Sequence, residues 1–300
     1  MIIIFEKCAI GHILFKFMLY NNYNCENRER SGFMNRKSAA RFCGFFAVCA
    51  TVVATVLEVL SVLFFYDKTT NYFLPDAILP SLAAVWALLA FAAAVIFAVA
   101  VPREEIASKS PFGTRFAFAL PAAIGFGVGA IFAVVDFAQS REIWFLIATL
   151  FLLLSAAHVL LSETERAIPL LGFAPPIACA FMVGILYFDA SLEMNAPLKV
   201  AAQTALLPLM LYFTAELRYL LNREIPRLYS ALALISVALA SLCVLAVPVA
   251  FVAGILKNTA CLAASLVVLG SNITILLRLK RFLAPIPSPD ENDTKETNAQ

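Results

Sequence analysis

Glu58 is the one ionisable side chain set well inside a long apolar stretch, residues 42–66. A carboxylate near the middle of a bilayer costs about 2.5–3.5 kcal/mol on insertion scales. It must therefore face other helices, face a cavity, or carry a proton. Thr51 and Thr55 share its helical face at i−7 and i−3. Such a seam suits a proton or cation site or a solute contact; the plainer alternative is a hydrogen bond to Gln203, expected at similar depth. Asp189, in a loop at the same end, joins these two at an expected entry. His158 is the only histidine after Met34, and it lies on one helical face with Ser155 and Ser162. Its depth matches that of Ser271 and Asn272, which makes Asn272 its expected partner in a core hydrogen bond. Glu58 and His158 fall in opposite halves of the membrane, so no direct pair between them is expected.

Other chemistry is missing from the pattern. Cys43, Cys49, Cys179, Cys243 and Cys261 lie in apolar runs without a C-x-x-C pair, which argues against a disulfide framework or a thiol zinc site. No H-E-x-x-H, Walker A or G-x-S-x-G motif occurs. Ser155 and His158 share a helix face, but no recognisable hydrolase motif surrounds them. No cofactor and no metal are expected, and an intramembrane enzyme ranks third among the functional readings.

These residues must be positioned by a membrane scaffold. The chain has 300 residues, of which 62% are hydrophobic and 14% charged. A soluble domain carries about 45–50% apolar and about 25% charged residues, so the excess here must face lipid. Eight apolar runs are each long enough to span the hydrocarbon: 42–66, 78–101, 116–135, 143–161, 168–188, 200–217, 228–252 and 259–277. Helices alone satisfy their own backbone in lipid, and the runs do not alternate as barrel strands would. The expected fold is all-α, a polytopic transmembrane helical bundle of about eight spans. Gly125 and Gly129 in the third span permit close helix approach, and Pro121, Pro175, Pro176, Pro208 and Pro248 mark kinks or helix starts.

Basic residues are concentrated on alternate connections, as Arg36, Lys37 and Arg41, then Arg103, Lys109 and Arg115, then Arg166, then Arg218, Arg223 and Arg227, then Arg278, Lys280 and Arg281. The opposite connections hold Lys68, Arg141, Lys199 and Lys257, one apiece. By the positive-inside rule both termini are cytoplasmic. Glu216, Arg218, Arg223 and Arg227 then form a candidate contact for a cytosolic partner, or an ion network with the neighbouring run 163–166. The net charge of only +2 gives no support to a nucleic-acid partner. The expected setting is a bacterial cytoplasmic membrane, with the lipid bilayer as the main partner.

Residues 1–33 are rich in Ile, Asn, Tyr and Lys, with Ala9 as their one alanine, whereas Ala, Leu, Val and Phe dominate beyond Met34. They are read as an upstream extension or a surface segment, residues 34–284 as the eight-helix domain, and the polar stretch 285–300 as a disordered cytoplasmic tail. The stretch Tyr187-Phe188-Asp189 to Asn195-Ala196-Pro197-Leu198-Lys199, with Gln203 and Glu216-Leu217-Arg218, resembles a segment that recurs in bacterial multi-pass membrane proteins with no assigned activity. The resemblance implies that this loop and the end of the sixth helix form one module. A small-solute transporter, or a membrane subunit of a transport system, is the leading expectation. A non-transporting scaffold or sensor that engages a cytosolic partner through basic loops is the alternative.

Overall fold

The computed structural model describes residues 33–101, 112, 116–164, 168–223 and 225–282. Both the extension ending at residue 33 and the tail 285–300 lie outside these residues, apart from Phe33, which opens the first helix. The chain is an all-α bundle and an integral membrane protein. Its elements are α1 (Phe33–Phe65), a two-stranded ribbon of β1 (Tyr66–Asp67) and β2 (Tyr72–Phe73), α2 (Ile78–Ala100), α3 (Phe116–Ser140) and α4 (Ile143–Ser162). A 3₁₀ turn (Pro169–Phe173) then leads into α5 (Ala174–Phe188), α6 (Pro197–Leu220), α7 (Pro226–Ala240), α8 (Ala246–Val252) and α9 (Thr259–Phe282). Pro197 and Pro226 open their helices at the position where a missing N–H costs nothing.

Among the described residues, seven helical segments are long and apolar enough to cross a bilayer. The expected span 228–252 is not one helix. It is divided into α7 and α8 by turns at residues 241–245. The physical reason lies in two residues: Pro248 has no N–H to offer the Val244 carbonyl, and the Ser241 hydroxyl bonds back to the Ala238 carbonyl at 2.6 Å.

α9 is the pillar of the bundle. Its apolar window is 72% buried, against 33–56% for the other six, and α3, α5, α6, α7 and α8 all pack on it. Small residues make that possible: Ala263, Ala264, Ser265 and Ser271 are buried along it. Gly125 and Gly129 of α3 both face α9. A methyl group added at Gly125 would lie 2.7 Å from the Leu266 carbonyl oxygen, and one at Gly270 would run into the Pro121 carbonyl. α1 and α2 lie along one another and reach the rest chiefly through α7, with α1 also packing on α8. The end that holds the α1 N-terminus is called proximal below, and the opposite end distal.

Gly270→Leu should force α3 and α9 apart, because backbone rather than a flexible side chain occupies the space. The expected loss is about 1–3 kcal/mol, read as a lower thermal midpoint of the detergent-solubilised protein, whereas Gly127→Ala, with open space at its Cβ, should leave the midpoint nearly unchanged.

Candidate functional site

At the distal end the first turn of α9 organises the polar groups. Asn258 caps the helix, its Oδ1 accepting the Cys261 N–H at 2.6 Å. Its amide nitrogen donates to the Asp189 carboxylate and, at 2.6 Å, to the Ser191 hydroxyl. Asp189 in turn accepts the Ser191 N–H at 2.8 Å. Lys199, 1% exposed, ties the same loop down by donating to the carbonyls of Asp189 and Leu192 at 2.6 and 3.1 Å. Asp136, 7% exposed, accepts the Thr259 hydroxyl on Oδ1 at 2.5 Å.

These groups border a cavity of about 1130 Å³ between the end of α3, the start of α4, α5 and the start of α9. Asp136, Glu142 and Asp189 face it with one ammonium group, Lys257, and Trp144, Phe145, Phe181 and Phe188 supply apolar wall. Carboxylates beside aromatic faces favour a solute with an amino or ammonium group and an apolar body.

The proximal end is built differently. Arg278 of α9, 2% exposed, donates through Nε to Glu163 at 2.7 Å, through Nη1 to Glu216 at 2.9 Å and through Nη2 to the Ser162 hydroxyl at 2.9 Å. One guanidinium thereby joins the ends of α4, α6 and α9. The Phe112 ring lies 5.6 Å from its central carbon. Beside it the hydroxyls of Tyr212 and Tyr229 share a hydrogen bond of 2.8 Å, linking α6 to α7. His158 Nε2 stands 3.8 Å from Glu216 Oε1, an electrostatic contact too long for a hydrogen bond. His158 Nδ1 and Glu216 Oε2 are buried without a hydrogen bond.

Several sequence expectations are corrected here. Asn272 does not meet His158: it accepts the Ser236 hydroxyl at 3.3 Å and donates to the Val268 carbonyl, so it serves the α7–α9 contact and leaves His158 to Glu216. Gln203, half-buried, does not bond Glu58; depth matches, but α1 packs on α2, α7 and α8, not along α6. Thr51 and Thr55 turn their hydroxyls onto their own helix, at the Ala47 and Thr51 carbonyls. Glu216, fully buried, is out of reach of a cytosolic partner, whereas Arg218 and Arg223 are exposed and Arg227 is half-buried. Glu58 is buried but does not line the distal cavity.

Sequence reasoning missed Arg278, counted only as a basic tail residue, and Asp136, one residue beyond the apolar run. The Asn258-Thr259 pair before an apolar run is a helix-start signal that was there to be read. No family model, no curated protein and no solved structure matches the chain.

Arg278→Met should leave Glu216 buried without its guanidinium and cost about 3–5 kcal/mol. Adding Glu216→Gln to it should restore part of the thermal midpoint, since the stranded charge is then removed. A second expectation concerns the distal rim. Asp67 accepts the Thr69 N–H at 2.9 Å and the Thr69 and Thr70 hydroxyls at 2.7 and 2.9 Å, which hold its carboxyl below the usual carboxylate range. A lowered folded pKa gives stability that is present above the unfolded value and lost as pH falls through the folded one. Hydrogen-exchange protection of the Thr69 amide should therefore persist through about pH 4 and fall only below it.

Proposed function

We propose that this chain is a small-solute carrier, or the membrane subunit of a transport system, whose solute is an amphiphilic cation. The observation that carries the reading is the asymmetry of the bundle. The distal end holds a cavity of about 1130 Å³ with a buried carboxylate in its wall, while Arg278 joins the helix ends at the other. Among the described residues the bundle is open toward one side and tied at the other, which fits one of the two states that alternating access requires. The positive-inside rule supports placing the proximal end, with exposed Arg218 and Arg223, in the cytoplasm of a bacterial cell, so that the cavity faces outward. Asp136 is the expected anchor for the solute's positive group, and Trp144 and Phe181 the expected walls for its apolar part.

The exposure of Arg218 and Arg223 favours one second reading, a membrane scaffold that offers these two guanidinium groups to an acidic cytosolic protein.

A panel of primary amines, quaternary ammonium compounds and matched anions separates these readings. If the chain is a carrier, one or more cationic amphiphiles should raise the thermal midpoint saturably and enter proteoliposomes containing the protein. Asp136→Asn should weaken that binding at least about tenfold, a charge-assisted contact being worth about 1.5–3 kcal/mol. Absence of both binding and flux across the cationic panel would refute the carrier reading and leave the scaffold.

A further inference from the structure

The Glu216 carboxylate is fully buried, and its charge is only partly balanced. Arg278 Nη1 donates to Oε1 at 2.9 Å, but the same guanidinium also serves Glu163 through Nε, so one positive charge is divided between two carboxylates. Oε2 has no hydrogen bond among the described residues. A carboxylate left with excess negative charge in low dielectric is costly, and a second cation beside it would relieve that cost.

His158 is placed to be that cation. Its ring is 2% exposed, with Nε2 3.8 Å from Glu216 Oε1. Gly172 of the 3₁₀ turn lies over the ring edge, since a methyl group there would come within 3.5 Å of Cε1. Nδ1 has no hydrogen bond among the described residues. An imidazole nitrogen whose lone pair is not engaged is free to take a proton. The resulting imidazolium would face a carboxylate within the range where an opposite charge favours the charged form, and an approach of about 1 Å would close a charge-assisted hydrogen bond of about 2.8 Å.

The neighbouring elements bring no competing base. On α3 the one charged side chain, Asp136, lies at the distal end, and α5 carries no carboxylate, imidazole or amine. The other titratable groups on the elements around the cluster are Glu163 on α4, Tyr212 and Tyr219 on α6, Arg227 and Tyr229 on α7 and Arg278 on α9. Guanidinium groups and phenols ordinarily keep their charge state below about pH 9, and carboxylates change theirs near pH 4; imidazole changes charge between about pH 5 and 8. Only about one helical turn, 6 Å, separates His158 from the Ser162 end of α4, so a proton can arrive from the proximal side. We infer that His158 and Glu216 form a proton-binding site: a proton from the proximal aqueous phase adds to the imidazole, no other covalent bond forms or breaks, and the imidazolium shares the Glu216 carboxylate with Arg278. The proton then tightens the tie between the ends of α4, α6 and α9. The site is separate from the distal cavity and does not rest on the carrier reading.

Full-length protein in detergent, labelled with nitrogen-15 in histidine and arginine, gives a direct test by nuclear magnetic resonance between pH 5 and 8. The His158 signals are those missing from His158→Gln, which separates them from His12. His158 should carry a second ring proton at the acidic end, and the Arg278 Nε signal should move with the same pH midpoint, because both cations share one carboxylate. Glu216→Gln should weaken proton binding by His158 at least about tenfold. Thermal midpoints supply an independent reading. The unfolded chain offers His158 no such carboxylate, so the folded protein holds the proton more tightly; that contribution is present at the acidic end and lost as pH rises. The wild-type midpoint should therefore fall by several degrees relative to His158→Gln from pH 5 to pH 8. Should Glu216→Gln fail to fold, the wild-type resonances and the His158→Gln midpoints still decide. A His158 ring with one proton throughout the range is a neutral core histidine and overturns the inference. So does a titration that Glu216→Gln leaves unchanged, an Arg278 signal indifferent to it, or a midpoint difference that does not vary with pH.

Discussion

Arg278 sits on the most deeply buried helix of the bundle, where water cannot solvate its guanidinium, and that requirement organises the proximal end. Moving such a charge out of water costs several kcal/mol even after relaxation, so counter-charges must come from neighbouring helices. Glu216 of α6 and Glu163 at the end of α4 supply them, at 2.9 and 2.7 Å, and Ser162 takes a further donor. Each carboxylate needs the guanidinium as much as the guanidinium needs it. The cluster is therefore a geometric constraint more than a source of net stability: a well-packed apolar replacement of all its members would stabilise as much, but would not fix which helix ends meet.

Packing along α9 follows from the same position. Between helices in lipid there is little hydrophobic driving force, so close van der Waals contact has to supply the association. Gly125 and Gly270 bring the α3 and α9 backbones together, and the Thr274 hydroxyl accepts the Ala122 N–H at 3.1 Å, just after Pro121 interrupts the backbone pattern of α3. Larger side chains at these positions would move α9 away from α3, and the Arg278 contacts depend on where α9 lies.

Much of the fold is legible from composition alone, because an apolar excess of this size admits only helices that face lipid. The Gly125 and Gly129 pair also reads correctly, since a missing side chain limits how near two backbones come whatever the neighbour is. Pairings between polar residues are less legible. Position along a span yields depth, one coordinate, whereas contact needs helix adjacency and rotation as well. His158 and Asn272 agree in depth and still find different partners, Glu216 and Ser236. Glu58 and Gln203 agree in depth on helices that do not pack together. The break at 241–245 is hidden because its residues are as apolar as the helices on either side; Ser241 and Pro248 are the only marks of it. Arg278 is illegible for a different reason: the side on which a basic residue lies assigns the end of a helix but does not distinguish a headgroup-facing arginine from one turned into the bundle.

α9 carries a member of each polar cluster, Thr259 at one end and Arg278 at the other. Thr259, bonded to Asp136, and Arg278, bonded to Glu163 and Glu216, are about 29 Å apart at 1.5 Å per residue of helix. A tilt of α9 large enough to change the distal cavity moves its proximal end by a comparable amount, and ion pairs with N···O distances below 3 Å do not survive displacements of that size. Changes at the cavity and release of Arg278 would then be parts of one motion. α3 cannot absorb such a tilt by sliding, because the Gly125 and Gly270 contact leaves no slack between the backbones. α3 must move with α9, and it carries Asp136. The α1–α2 pair packs on neither of them and reaches the bundle chiefly through α7, which makes the α7–α8 break the natural boundary between the part that would move and the part that would stay.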